Sequence, residues 1–198
     1  KERWLSTLRA HARRLHVTVL DRDQYDYCKE WYHSALRELA PSMPPHTTPH
    51  EVGALLVPPL KVRQTNRALK LLEEIRLLHK DDDGCYHQSA PAISTGSEVT
   101  SLAVRNLHAQ MARLAGESLE RTPREERDIS GMTVGLSRRG FEQLREELAQ
   151  FRARVADIVD SDTPTERVYR LNLQLFPLSG EIPPADNDDN GEELGNDT

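Results

Sequence analysis

Between Asp23 and Gln88 the chain is cut by prolines and by one acidic turn into three short runs of helical periodicity, an order that constrains the fold although three helices and a hairpin can be assembled in more than one way. The first run spans about Asp23 to Leu39, with Tyr27, Trp31, Ala35 and Leu39 at every fourth position and Cys28, Tyr32 and Leu36 beside them. Pro41, Pro44 and Pro45 end it. Thr48-Pro49-His50-Glu51 is a helix-start signature, because Thr48 can cap, Pro49 suits the first helical position and Glu51 can reach back. The short helix it opens runs through Leu56 to Pro58-Pro59. From Lys61 to about Leu78, Leu69, Leu72, Ile75 and Leu78 share one face, and basic residues occupy most of the other. Asp81-Asp82-Asp83-Gly84 is then a turn, followed by a short strand over residues 85–88.

Helix, short helix, basic helix and hairpin is the order of a winged helix-turn-helix, and the spacing predicts such a unit over residues 20–96. Its third helix would be the reading helix. Lys61, Arg63, Gln64, Asn66, Arg67 and Lys70 are the candidate DNA contacts, since cations meet phosphates and guanidinium or amide groups can pair with base edges. The competing reading is an ordinary solvated helix face.

The second half has a different rhythm. Val99 to Leu119 reads as a long helix with Val104, Leu107, Met111 and Leu114 on its apolar face. Met132, Val134 and Leu136 alternate as a short half-buried strand does, and so do Tyr169, Leu171, Leu173 and Leu175. Between them Ser137 caps a helix whose Phe141, Leu144, Leu148, Phe151, Val155 and Ile158 repeat every three and four positions, a candidate dimer seam. Residues 97–179 are expected to form a small sheet with packed long helices, so the whole is α+β and mostly helical. Thr122-Pro123-Arg124-Glu125 and Thr163-Pro164-Thr165-Glu166 repeat the helix-start chemistry. Arg105, Asn106, His108 and Gln110 cluster on the long helix. With Asn172 and Gln174 they would either tie that helix to the sheet or line a pocket for a small anionic ligand.

Composition narrows the function classes. Lys and Arg number 26 against 32 Asp and Glu, but seven of the acids lie after Gly180 with no base among them. Residues 180–198 therefore read as a solvated acidic tail, and the rest carries 26 bases against 25 acids. Residues 1–19 read as a basic linker helix, with Lys1, Arg3, Arg9, Arg13 and Arg14. No apolar stretch is long enough to span a membrane and no signal peptide is evident, so the expected location is the cytoplasm. Cys28 and Cys85 read as reduced thiols. The spacing of His46, His50, His79, Cys85 and His87 matches no known metal-ligand set. The acidic turn lacks the later glutamate of a calcium loop. No nucleophile elbow or phosphate-binding loop is present, so neither an enzyme nor a cofactor is expected.

Five stretches carry a family likeness: Leu20-Asp-Arg-Asp-Gln-Tyr25, Lys29-Glu-Trp-Tyr-His33, Arg105-Asn-Leu-His-Ala-Gln110, Glu126-Arg-Asp-Ile-Ser130 and Val168-Tyr-Arg-Leu-Asn-Leu-Gln-Leu-Phe-Pro177. In this order and spacing the chain resembles the C-terminal domain, of unknown function, of a bacterial family of predicted transcription regulators of the Cro/C1 helix-turn-helix type. The helix-turn-helix that gives those regulators their label is not in this sequence, which starts at Lys1 without a methionine and reads as an excised or processed chain. The resemblance implies an effector or dimerisation domain, with DNA as a candidate ligand and a second copy or another protein as partner. The alternatives from other classes are a protein-interaction or scaffold module that does not bind DNA and a small-ligand sensor.

Overall fold

Where a helix can start is set by which backbone donors find partners. In the computed structural model, which describes residues 17–19, 26–89, 92–94 and 102–183, the first helix, α1 (Trp31–Leu39), starts later than its periodicity predicts. Residues 26–28 form a separate 3-10 turn and Glu30 is extended at φ −127°. The Trp31 amide, an orphan donor of the first turn, donates to Gln110 Oε1 at 3.1 Å, a partner 79 positions away. A 3-10 turn, Ala40–Ser42, then carries the chain to Met43.

α2 (Pro49–Ala54) starts as its sequence dictates. Glu51 N donates to Thr48 Oγ1 at 3.3 Å and Thr48 N donates to Glu51 Oε2 at 2.7 Å, a reciprocal capping box. α3 (Val62–Glu74) closes with two backbone bonds, Arg76 N to the Glu73 carbonyl (3.0 Å) and Leu77 N to the Leu72 carbonyl (2.8 Å). This closure requires a left-handed residue, and Arg76 supplies it at φ 57°. Glycine adopts that conformation without a Cβ clash, so Arg76→Gly is expected to raise stability by about 0.5–1 kcal/mol net of its greater unfolded-state entropy. A urea melt checks this, and an unchanged or lowered midpoint would refute it.

The acidic turn makes the hairpin as expected. β2 (Leu78–Lys80) and β3 (Tyr86–Gln88) pair antiparallel with His79 opposite His87. Asp81 Oδ1 accepts from the Cys85 amide at 2.8 Å, and Gly84 takes the positive φ of 83° that closes the turn. β1 (Val17–Val19) pairs in parallel with β4 (Ala92–Ser94), two strands that the periodicity did not mark.

One core joins these elements. Leu36, Val52, Leu69, Leu72, Leu77 and Leu78 are buried together with Ala103, Val104, Leu107 and Met111 of α4 (Leu102–Arg121). The side chains of His33, Arg37 and Thr65 share that interior, as does Tyr27 with its hydroxyl. Gln88 Nε2 donates to the Arg37 carbonyl (3.2 Å) and to Glu38 Oε2 (2.9 Å), which fastens the hairpin to α1.

Beyond Met111 no described residue is buried. α5 (Arg138–Ser161) is the seam helix, capped by Ser137, whose Oγ accepts from the Gly140 amide at 3.2 Å. The segments on either side of it, which the alternation marks as strands, have no regular secondary structure and do not pair with each other, so the crossover sheet expected over residues 97–179 does not form among the described residues. Of the three Thr-Pro-x-Glu segments the first caps a helix, the second leads into a 3-10 turn (Arg124–Glu126), and the third lies in extended chain. The fold is thus α+β and mostly helical, and among the described residues its antiparallel pairing is that of the hairpin. The basic segment at residues 1–16, the Leu20–Tyr25 motif, the first residues of the long helix (99–101) and the tail from residue 184 lie outside the described residues. Among the described residues no helix is long and apolar enough to cross a membrane, and no group of three or more His, Cys, Asp or Glu is arranged to hold a metal ion.

Candidate nucleic-acid interface

α3 is two-sided. Thr65, Ala68, Leu69 and Leu72 are buried, while Lys61, Arg63, Gln64, Asn66, Arg67 and Lys70 are all exposed. The six candidate DNA contacts are thus all solvent-exposed, at the N-cap of α3 and along its first nine residues. Two of them have local duties as well. Gln64 Oε1 accepts from the Lys61 amide at 3.2 Å and caps the helix, and Lys70 Nζ lies 3.7 Å from Glu74. Residues 61–72 contain no Asp or Glu, so the cationic face is undiluted until the last turn. The N-terminal end of α3 adds the positive end of the helix dipole.

α2 holds this helix at close range. The Leu60 amide donates to the Gly53 carbonyl at 2.9 Å, and Thr65, wholly buried, sits where a Cβ on Gly53 would be. The glycine is what lets the two helices cross at that distance.

Beside α3 the hairpin presents Lys80, whose Nζ lies 5.2 Å from the centre of the Tyr86 ring. Burial pushes the Tyr86 hydroxyl up to about 12, so this ring stays neutral. His79 and His87 stack at 5.3 Å, and His87 Nε2 lies 2.6 Å from Asp81 Oδ2. That contact, with the Cys85 amide, holds the Asp81 carboxyl below its ordinary range.

With this geometry in view, the comparison with known families is decisive in one respect. A family model described as a domain of unknown function (DUF4423) matches residues 12–178. The chain belongs to the DUF4423 family. No curated protein and no solved structure matches it.

The DUF4423 domain divides the second set of candidates. Asn106 and Gln110, one turn apart on α4, both donate to the Lys29 carbonyl, at 3.2 and 2.7 Å. Gln110 also accepts from the Trp31 amide, so the pair clamps α4 to the start of α1. Asn172 Nδ2 donates to the Met111 carbonyl at 3.0 Å and its Oδ1 accepts from Arg170 Nε at 3.0 Å. Arg105, His108 and Gln174 are exposed and make no hydrogen bond among the described residues. These six do not converge on one place.

Other residues of the DUF4423 domain do work that periodicity could not mark. Arg127 Nη1 donates to the carbonyls of Ser118 (2.7 Å), Leu119 (2.5 Å) and Thr122 (2.6 Å), a cation closing the C-terminus of α4. Glu126 pairs with Arg167 at 2.6 Å across 41 positions. Both Glu126 and Arg127 fall in the Glu126–Ser130 stretch, where the family likeness was the available signal.

None of the seam residues of α5 is fully buried. Phe141, Phe151 and Ile158 are exposed, and Leu144, Leu148 and Val155 are half-buried. Arg145 and Arg154 lie over the Phe141 and Phe151 rings.

Proposed function

We propose that this DUF4423 domain is the DNA-contacting and dimerising part of a bacterial transcription regulator, with α3 entering the major groove. The observation that carries the reading is the sidedness of α3. Its buried face is fixed by the core, and its exposed face offers four cations and two amides, with acids, Glu73 and Glu74, confined to its last turn. Cations of that kind meet phosphates, and Arg63, Gln64, Asn66 and Arg67 are the chemistry that reads base edges. The order helix, short helix, basic helix, hairpin supports the same placement. Lys80 extends the cationic surface onto the hairpin, but the hairpin tip stays away from phosphate because Asp81, Asp82 and Asp83 stand there.

Fluorescence anisotropy of the chain titrated into labelled duplex DNA, at about 50 and 200 mM salt, tests it. The wild type is expected to bind and to weaken steeply with salt. Replacing Arg63 and Arg67 by Glu is expected to reduce binding about a hundredfold or more and to spare folding, since both side chains are exposed. Binding that survives this double replacement would overturn the assignment to α3.

A further inference from the structure

The C-terminal part of the chain has the composition of a core and the exposure of a surface. Fourteen of the nineteen exposed large hydrophobic residues among the described residues lie between Ile129 and Ile182. They are not scattered. Met132, Val134 and Leu136 alternate along one extended segment, Tyr169, Leu171 and Leu173 along another, and the helix between them carries the three-four seam. Met132 is 89% exposed, Tyr169 71% and Ile158 65%.

In the second segment Asn172 hydrogen-bonds to α4 and is half-buried, which ties the segment to the core at that residue, while Gln174 beyond it is exposed. Tyr169, Leu171 and Leu173, at the alternate positions, are exposed, and Leu175 is half-buried. Among the described residues, residues 128–136 and 163–183 make no backbone-to-backbone hydrogen bond, which leaves two apolar extended edges open.

The charges on α5 identify the occupant. A helix gains from acids in its first turn and bases in its last, and α5 has neither. It begins with Arg138 and Arg139 and ends with Asp157, Asp160 and, just beyond, Asp162. Each end by itself opposes the helix dipole, and each is what the other needs. A second α5 running antiparallel, with Phe141 level with Ile158 and Leu148 level with Phe151, brings the basic end of each copy to the acidic end of the other. The same register sets Glu147 near Arg154. Arg145 then approaches Arg152, but Glu142 of its own chain already holds it at 3.1 Å. The pattern is complementary to itself under a two-fold axis, as an isologous interface must be.

We infer that residues 128–177 form a dimerisation unit in which α5 pairs antiparallel with α5 of a second copy of this chain, and the flanking extended segments gain their strand partners in that pairing. A helix of 24 residues is about 36 Å long, enough for an interface of standard size once both segments are included. This inference stands independently of any DNA contact by α3, whose residues lie outside the unit.

Sedimentation of the full chain across a concentration series is the test. A dimer of twice the 22.5 kDa chain mass is expected at micromolar concentration. Leu148→Glu is expected to weaken it at least about thirtyfold. Circular dichroism should show the core over residues 26–121 still folded, because nothing on α5 is buried in it. Reversing Arg138 and Arg139 to Asp should weaken the dimer about tenfold, and reversing Asp157 and Asp160 to Arg in the same chain should restore it. Hydrogen exchange should show amides 132–136 and 169–175 protected in the wild type and unprotected in Leu148→Glu. A monomeric wild type, a dimer indifferent to Leu148→Glu, a charge reversal that its counterpart does not rescue, or unprotected segments in the dimer would each overturn the inference.

Discussion

Gly53→Ala is expected to lower the stability of this protein by about 1–3 kcal/mol, the range for forcing a group into a packed interior. A Cβ on Gly53 would lie 2.2 Å from Thr65 Oγ1, 3.3 Å from Thr65 Cβ and 3.4 Å from the Leu60 carbonyl oxygen. None of these can yield cheaply. Thr65 is wholly buried, and a rotation that clears its hydroxyl moves it away from the Lys61 carbonyl to which it donates at 3.4 Å. The Leu60 backbone is held to Gly53 by its own hydrogen bond. The response left is for α2 and α3 to part, which opens the core at Leu69 and Leu72. In a chain of this size the melting midpoint should fall by about 2–4 °C per kcal/mol. Thr65→Ala in the same chain removes the closest obstacle, so the double variant should lose less than the sum of the two single variants. Strict additivity of the two losses would show that this contact does not set the crossing. Because α2 seats α3, Gly53→Ala should also weaken DNA binding if α3 is the contact, without removing any charge.

The second large effect is expected with acid. His33 is buried, and its Nδ1 lies 3.1 Å from both the Asp26 and Tyr27 carbonyl oxygens. Carbonyls only accept, so Nδ1 carries the hydrogen and the ring is an internal cap for the 3-10 turn before α1. Burial holds the pKa of His33 below its ordinary value, against the opposing pull of those two carbonyls and of Glu30 and Asp26. The sign follows from the direction of that shift. The unfolded chain takes up the proton first, near pH 6.5, so the stabilisation is complete above that pH and is lost as pH falls toward the lowered folded-state value. At its steepest one such group changes stability by about 1.4 kcal/mol per pH unit. Urea midpoints between pH 7.5 and 5.5 should therefore fall with acid in the wild type. His33→Gln keeps a donor for the carbonyls but cannot titrate, and should flatten that slope. An equal slope in both proteins would place the acid sensitivity elsewhere.

These two sites show where the sequence was legible. The capping box at Thr48, the acidic turn at Asp81 and the apolar face of α4 are local patterns, and each formed at the residues that spell it; the stripe expected through Leu78 kept Leu69 and Leu72 on α3, but that helix ends at Glu74 and Leu78 belongs to β2. The cationic face of α3 was legible for the same reason, since a helix whose apolar stripe is known has its other face known too. What failed to read locally depended on partners far along the chain. α1 starts at Trp31 because Gln110 accepts its amide, and a run beginning at Asp23 carries no sign of that. Gly53 looks like any glycine in a short helix until Thr65 is placed against it. Asn106, Gln110 and Asn172 are equally plausible as ligand groups or as ties, and only their distances to Lys29 and Met111 separate the two.

The alternating segments carry this furthest. Periodicity marked Met132 to Leu136 and Tyr169 to Leu175 as strands with one apolar face each, and neither forms a strand in the structure. It could not say what that face meets. The tertiary structure tied Asn172 of the second segment to α4 through one hydrogen bond and left Tyr169, Leu171 and Leu173 exposed, with Leu175 half-buried. Spacing along a chain fixes the direction in which each side chain points relative to its neighbours, because the backbone geometry that sets it is local. Which surface lies in that direction is decided by packing between segments distant in sequence, and that is settled only when the fold is assembled.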